Sequence, residues 1–118
     1  MGDSFRNLKA WQWSIELTLM VYKFTSAFPD AERFGLTSQL RRASVSMASN
    51  IAEGYGRRTS GEYLQSLGHA RESNSEVETQ LVISRGLKFG DESRRQQVEN
   101  LCEEIGKMLC AMMRSLDR

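Results

Sequence analysis

A chain of 118 residues has room for one domain, residues 1–118, and its 40% apolar and 26% charged composition is ordinary for a soluble globular protein. A net charge of +1 lacks the basic excess of a protein that lives by phosphate contacts, and a single proline argues for long helices over a turn-rich β architecture. No stretch approaches the roughly 20 apolar residues that cross a bilayer, and residues 1–7 lack the apolar run of a secretion signal, so the expectation is a cytoplasmic protein without a membrane partner.

The first helix is predicted over about 8–27 and stops before Phe28-Pro29, because the residue preceding a proline is driven out of the helical region. It carries two apolar stripes. Leu8, Trp11, Ile15, Leu19 and Tyr22 form one; Trp13, Leu17, Met20, Phe24 and Phe28 form the other. Either both lie within one wide core contact or one of them meets a second partner. Large exposed apolar patches are rare on monomers, so self-association is expected, with Trp13, Leu17, Met20 and Phe24 as the candidate interface.

Residues 29–35 connect to a second helix over about 37–55, with Thr37 or Ser38 available as its cap. Gly54 and Gly56 weaken its end. Leu40, Ala43, Met47, Ile51 and Tyr55 supply an apolar wall, and Ser44, Ala48, Ala52 and Gly56 a row of small residues suited to close helix approach. The opposite side carries an ordered polar row: Gln39, Arg42, Ser46, Asn50, Glu53 and Arg57. That row suits either partner recognition or a hydrogen-bond and ion-pair network between helices or protomers, which fixes register more than it adds stability. The network is the favoured reading.

Thr59-Ser60-Gly61-Glu62 has capping-box spacing and opens a third helix over about 60–89, with Gly90 as its expected C-terminal cap. A fourth helix follows from Asp91 or Ser93 over about 92–117, with Val98, Leu101, Ile105, Met108, Leu109, Met112 and Leu116 as its core stripe. Short connections between these segments predict an all-α, antiparallel up-down-up-down four-helix bundle.

Catalytic chemistry finds no foothold. Bundles that house di-iron centres use Glu-x-x-His pairs, whereas the single histidine, His69, has Ser66 three residues before it. No Cys/His cluster has zinc spacing, no phosphate-binding glycine loop accompanies Gly54-Tyr55-Gly56, and no Gly-x-Ser-x-Gly is present. Glu72, Glu76, Glu78, Glu103 and Glu104 are read as a solvated face and Met108, Met112 and Met113 as core filler. Cys102 and Cys110 stand eight residues apart, about 12 Å along one helix, beyond disulfide reach, and are expected as reduced packed thiols. The expectation is a non-enzyme without metal, cofactor or small-molecule substrate. Arg41-Arg42, Arg57-Arg58 and Arg94-Arg95 leave a second function open: Arg41, Arg42, Arg57 and Arg58 on one side of an oligomer would present a basic ring to RNA or single-stranded DNA. Nearby acids (Glu53, Glu62, Asp91 and Glu92) favour plain solvated ion pairs.

Residues 34–43, continuing through Ser46 and Ser49-Asn50-Ile51-Ala52-Glu53-Gly54-Tyr55-Gly56-Arg57, resemble the signature of the four-helix-bundle family named for proteins encoded in 23S rRNA intervening sequences, also called the S23 family. Leu8, Trp11, Tyr22 and Phe28-Pro29 match its first helix, and Glu62-Tyr63, Ser73 and residues 76–81 its third. The chain departs at Ala48, where the family has proline, and at Glu72, where it has glycine. The resemblance implies a bundle that assembles as a cyclic homo-oligomer, typically a pentamer, with no attached enzymatic activity. It also implies kinship with accessory proteins of diversity-generating retroelements, which bind nucleic acid and a reverse transcriptase. Those members are strongly basic; this chain is not. The partners expected are therefore further copies of the chain, and a protein or nucleic acid on the ring.

Overall fold

The computed structural model describes residues 4–117. Four helices build it: α1 (Lys9–Thr25), α2 (Leu36–Tyr55), α3 (Ser60–Leu87) and α4 (Glu92–Leu116). α1 packs on α2 and α4, and α3 packs on the same two, with no close backbone approach across either diagonal among the described residues. The helices therefore occupy the corners of a square. Along the α2–α3 side residue numbers run in opposite directions, with Gln39 beside Gln80 and Gly54 beside Ser66. The α3–α4 side does the same, with Asn74 against Cys102 and Gly68 near Met113.

The helix ends show local chemistry at work. A 3-10 turn over Phe5–Asn7 leads into α1, and Gln12 Nε2 donates to the Arg6 carbonyl at 2.8 Å to tie it down. α1 ends at Thr25, two residues before the predicted end: the Phe28 amide bonds the Thr25 carbonyl at 3.0 Å, a tight turn that delivers the chain to Pro29. Neither Thr37 nor Ser38 caps α2. Its N-cap is Gly35, and the Glu32 carboxylate, from a 3-10 turn over Asp30–Glu32, instead reaches forward to accept from the Leu36 amide at 3.1 Å. α2 runs unbroken through Ala48.

The Thr59 capping box is formed, with Thr59 Oγ1 accepting from the Glu62 amide at 3.1 Å and Glu62 Oε1 accepting from the Thr59 amide at 3.3 Å. Gly90 is not the cap of α3. Lys88 takes the left-handed conformation (φ 60°), and bonds from Lys88 to the Arg85 carbonyl and from Phe89 to the Ser84 carbonyl close the end. Gly90 turns the chain two residues later at φ 76°, where a Cβ would stand 2.5 Å from Phe24 Cε1. That turn closes on an aromatic cluster, with Phe28 5.0 Å from Phe24 and 5.5 Å from Phe89.

The core joins Leu17, Val21 and Phe24 of α1, Leu40, Met47 and Ile51 of α2, Leu67, Val77 and Leu81 of α3, and Val98, Ile105 and Leu109 of α4, all fully buried. Each such side chain contributes about 1.5–3 kcal/mol relative to exposure. This overturns part of the expected interface. Leu17 and Phe24 are core residues of the bundle itself, and Trp13 and Met20 are partly buried against that core. Of the other stripe, Leu8 and Trp11 also pack against the core, and only Leu19 and Tyr22 are exposed. Period alone carries no information about which residues face in.

Candidate functional site

The polar row of α2 divides in two. Gln80 Nε2 donates to Gln39 Oε1 at 3.4 Å, and Ser73 Oγ donates to Ser46 Oγ at 3.1 Å. Asn50 Nδ2 donates to the carbonyl and hydroxyl of Ser46 at 2.9 and 3.2 Å. These members face or brace the seam with α3. Glu53 and Arg57 form only an exposed pair at 3.8 Å, and Arg42 points away from the seam into solvent.

α3 answers with a ladder that the apolar pattern does not announce. Ser66, Ser73 and Gln80 are buried and stand seven residues apart, opposite Gly54, Ser46 and Gln39. A seven-residue recurrence keeps one face in register with a neighbouring helix, as in coiled-coil packing. At the narrow end a Cβ on Gly54 would lie 2.7 Å from Ser66 Cβ, so Gly54 permits a close approach and does more than weaken a helix end. The signal was present in the sequence as polar residues at heptad steps. On the other side of α3, buried Asn74 donates from Nδ2 to the Cys102 carbonyl at 3.0 Å, while its Oδ1 has no partner.

The arginine doublets do not form one basic face. Arg41 is engaged internally: its guanidinium sits 4.4 Å over the Tyr22 ring, and its Nε donates to Thr25 Oγ1 at 2.9 Å. Arg57 and Arg58 lie beyond the far end of α2, which is about 20 Å from Arg41 and Arg42 along the helix. Arg95 is 8% exposed and lies 3.7 Å from both Glu92 and Glu99, whereas Arg94 is exposed.

Two hollows of about 470 Å³ flank α2. The first, between α1 and α2, is lined by Tyr22, Arg33, Phe34, Thr37, Ser38, Arg41, Arg42 and Val45. Phe34 is 87% exposed with the Arg33 guanidinium 5.3 Å from its ring centre, and Leu19, one turn from Tyr22, is 61% exposed. The second, between α2 and α3, is lined by Gln39, Glu72, Ser75, Glu76, Thr79, Gln80 and Ile83. Ile83 is 46% exposed, and Leu87, one turn on, 53%.

Two of the remaining ionisable groups, Cys102 and Tyr63, are held protonated by burial. Burial first, then the negative fields of Glu78 and Glu99, pushes the Cys102 thiol far above its ordinary range; Cys110 is half-buried and free. Burial, and then Tyr55, raises Tyr63. His69 is exposed, 3.3 Å from Glu72. Among the described residues no three histidine, cysteine or acidic side chains gather closely enough to hold a metal, and no helix is long and apolar enough to cross a membrane.

Residues 6–111 match the family model of the 23S rRNA-intervening sequence protein. The fold is similar to the crystal structure of a protein of unknown function from the S23 ribosomal protein family of Bacteroides thetaiotaomicron, with a TM-score of 0.79 at 20% identity, covering 88% of this chain and 97% of that one. No curated protein matches.

Proposed function

Given that the chain belongs to the family of 23S rRNA-intervening sequence proteins, we propose that it is a non-enzymatic, cytoplasmic, up-down-up-down bundle that assembles with copies of itself into a closed ring. The family resemblance suggests five copies, and the ring serves as a scaffold for a macromolecular partner. The observation that carries self-association is the exposed apolar surface where α1, α2 and their connector meet: Tyr22, Phe34 and Val45 line one hollow open to water, and Leu19, one turn from Tyr22, is exposed as well. A lone bundle has no use for such a surface, which burial against another chain would stabilise. Light scattering at micromolar concentration tests this: a mass of several protomers is expected, and a stable 13.4 kDa monomer refutes it.

A second reading, binding of RNA or single-stranded DNA, draws on the same hollow. Arg33, Arg41 and Arg42 beside Tyr22 and Phe34 combine phosphate-neutralising charge with rings on which bases stack. Arg57 and Arg58 would have to be brought near by ring assembly. Binding of a labelled RNA that weakens steeply with salt is the expected result, and no binding at low ionic strength removes this reading.

A further inference from the structure

The two hollows flanking α2 carry opposite charge. On the α1–α2 side the charged lining residues are Arg33, Arg41 and Arg42, with no acid among them. On the α2–α3 side they are Glu72 and Glu76, with no base among them. Each hollow also carries exposed apolar groups: Tyr22, Phe34 and Val45 on the first, Ile83 on the second with Leu87 one turn on. The two hollows thus carry charge of opposite sign, and each exposes apolar groups beside it.

We propose that the α1–α2 hollow of one protomer docks on the α2–α3 hollow of the next, arginines against glutamates around an apolar centre, so that the occupant of each face is a second copy of this chain. The inference rests on the self-association reading and adds which surfaces meet. Unlike faces make a heterologous, head-to-tail contact, which closes into a ring when the rotation between copies allows. The two faces share α2 and lie on adjacent sides of the bundle, so the contact turns each copy relative to the last, as a closed ring requires. Opposite charge across the contact sets orientation and rejects pairing of like faces.

Arg42 and Glu76 suit a test, because both are exposed and neither makes an ion pair or side-chain hydrogen bond with a described residue. Sedimentation of Arg42→Glu and of Glu76→Arg, each verified as helical by circular dichroism, is expected to show subunit dissociation constants raised at least about tenfold. The double variant Arg42→Glu/Glu76→Arg restores the opposite pairing and is expected within about threefold of the wild type. Single variants that assemble normally, or a double variant no better than the singles, overturn the assignment of faces while leaving self-association standing. A wild-type monomer overturns self-association and this pairing with it.

Discussion

α3 and α4 are neighbours of similar length, yet they bury different chemistry. The fully enclosed face of α4 is Val98, Cys102, Ile105 and Leu109, with Arg95 at its start. α3 buries Leu67, Ala70, Val77 and Leu81 together with Ser66, Ser73, Asn74, Gln80 and Ser84. An apolar face gains free energy in proportion to area, whatever the register, so α4 could slide by a turn and still bury hydrocarbon. A face with hydroxyls and amides has one register in which its groups find partners. α4 therefore supplies stability, and α3 selects which arrangement of the bundle is stable.

That division can be broken at either helix. Leu109→Ala should cost the most, about 2–5 kcal/mol, because it leaves a cavity in a fully enclosed site; denaturant unfolding measures it. Asn74→Ala should cost less, about 1–2 kcal/mol, since its bond to the Cys102 carbonyl is offset by an Oδ1 buried without a partner. A loss as large as that at Leu109 would mean that the polar seam supplies stability as well as register.

Glycine replacements sharpen the contrast, because they change sign between the α2–α3 contact and the exposed end of α3. Gly54→Ala drives a methyl into Ser66 and should lose about 1 kcal/mol, overpacking exceeding the gain in helix propensity. Gly86→Ala, on the exposed end of α3 with nothing within 4 Å, should gain about 0.5–1 kcal/mol. Paired melting curves of the two variants check both signs.

The smallest effect at neutral pH is on the α4 side of the Asn74 contact. A raised thiol pKa leaves Cys102 neutral in the folded state, so its contribution is fully present below about pH 9, where the unfolded thiol is also protonated. Above that pH the unfolded chain releases a proton that the fold retains, and stability falls. Melting temperature should be flat in this respect up to about pH 9 and decline beyond it, less steeply in Cys102→Ala, with Tyr63 adding a further decline of the same sign. At neutral pH a thiol reagent should label Cys110 readily and Cys102 only on unfolding.

Much of this was legible in the chain. Helix periods, the capping box at Thr59, the cap at Asp91 and the stop before Pro29 are encoded in residues within a turn or two of each other, and such interactions act before any tertiary contact exists. The cap of α3 was not legible, because the left-handed conformation at its end falls on Lys88, a residue type that ordinarily avoids it, and not on Gly90, which instead turns the chain beside Phe24 and Phe28. The polar row of α2 was visible as a row, but its split into a seam with α3 and an exposed Glu53–Arg57 pair depends on where α3 lies.

By itself the sequence determined that there would be four helices, where each would begin and end to within a few residues, and that α1 would carry apolar residues in two stripes. Only the tertiary structure decided which α1 stripe is core: Leu17 and Phe24 turned inward, while Leu19 and Tyr22 remained outside with Phe34 and Val45. The physical reason is that hydrophobicity is a scalar property of each residue, whereas burial depends on direction. For α1, direction is set by neighbours far off in the chain: Arg41 of α2 bonds Thr25 sixteen positions away and covers the Tyr22 ring, and the turn at Gly90 closes on Phe24.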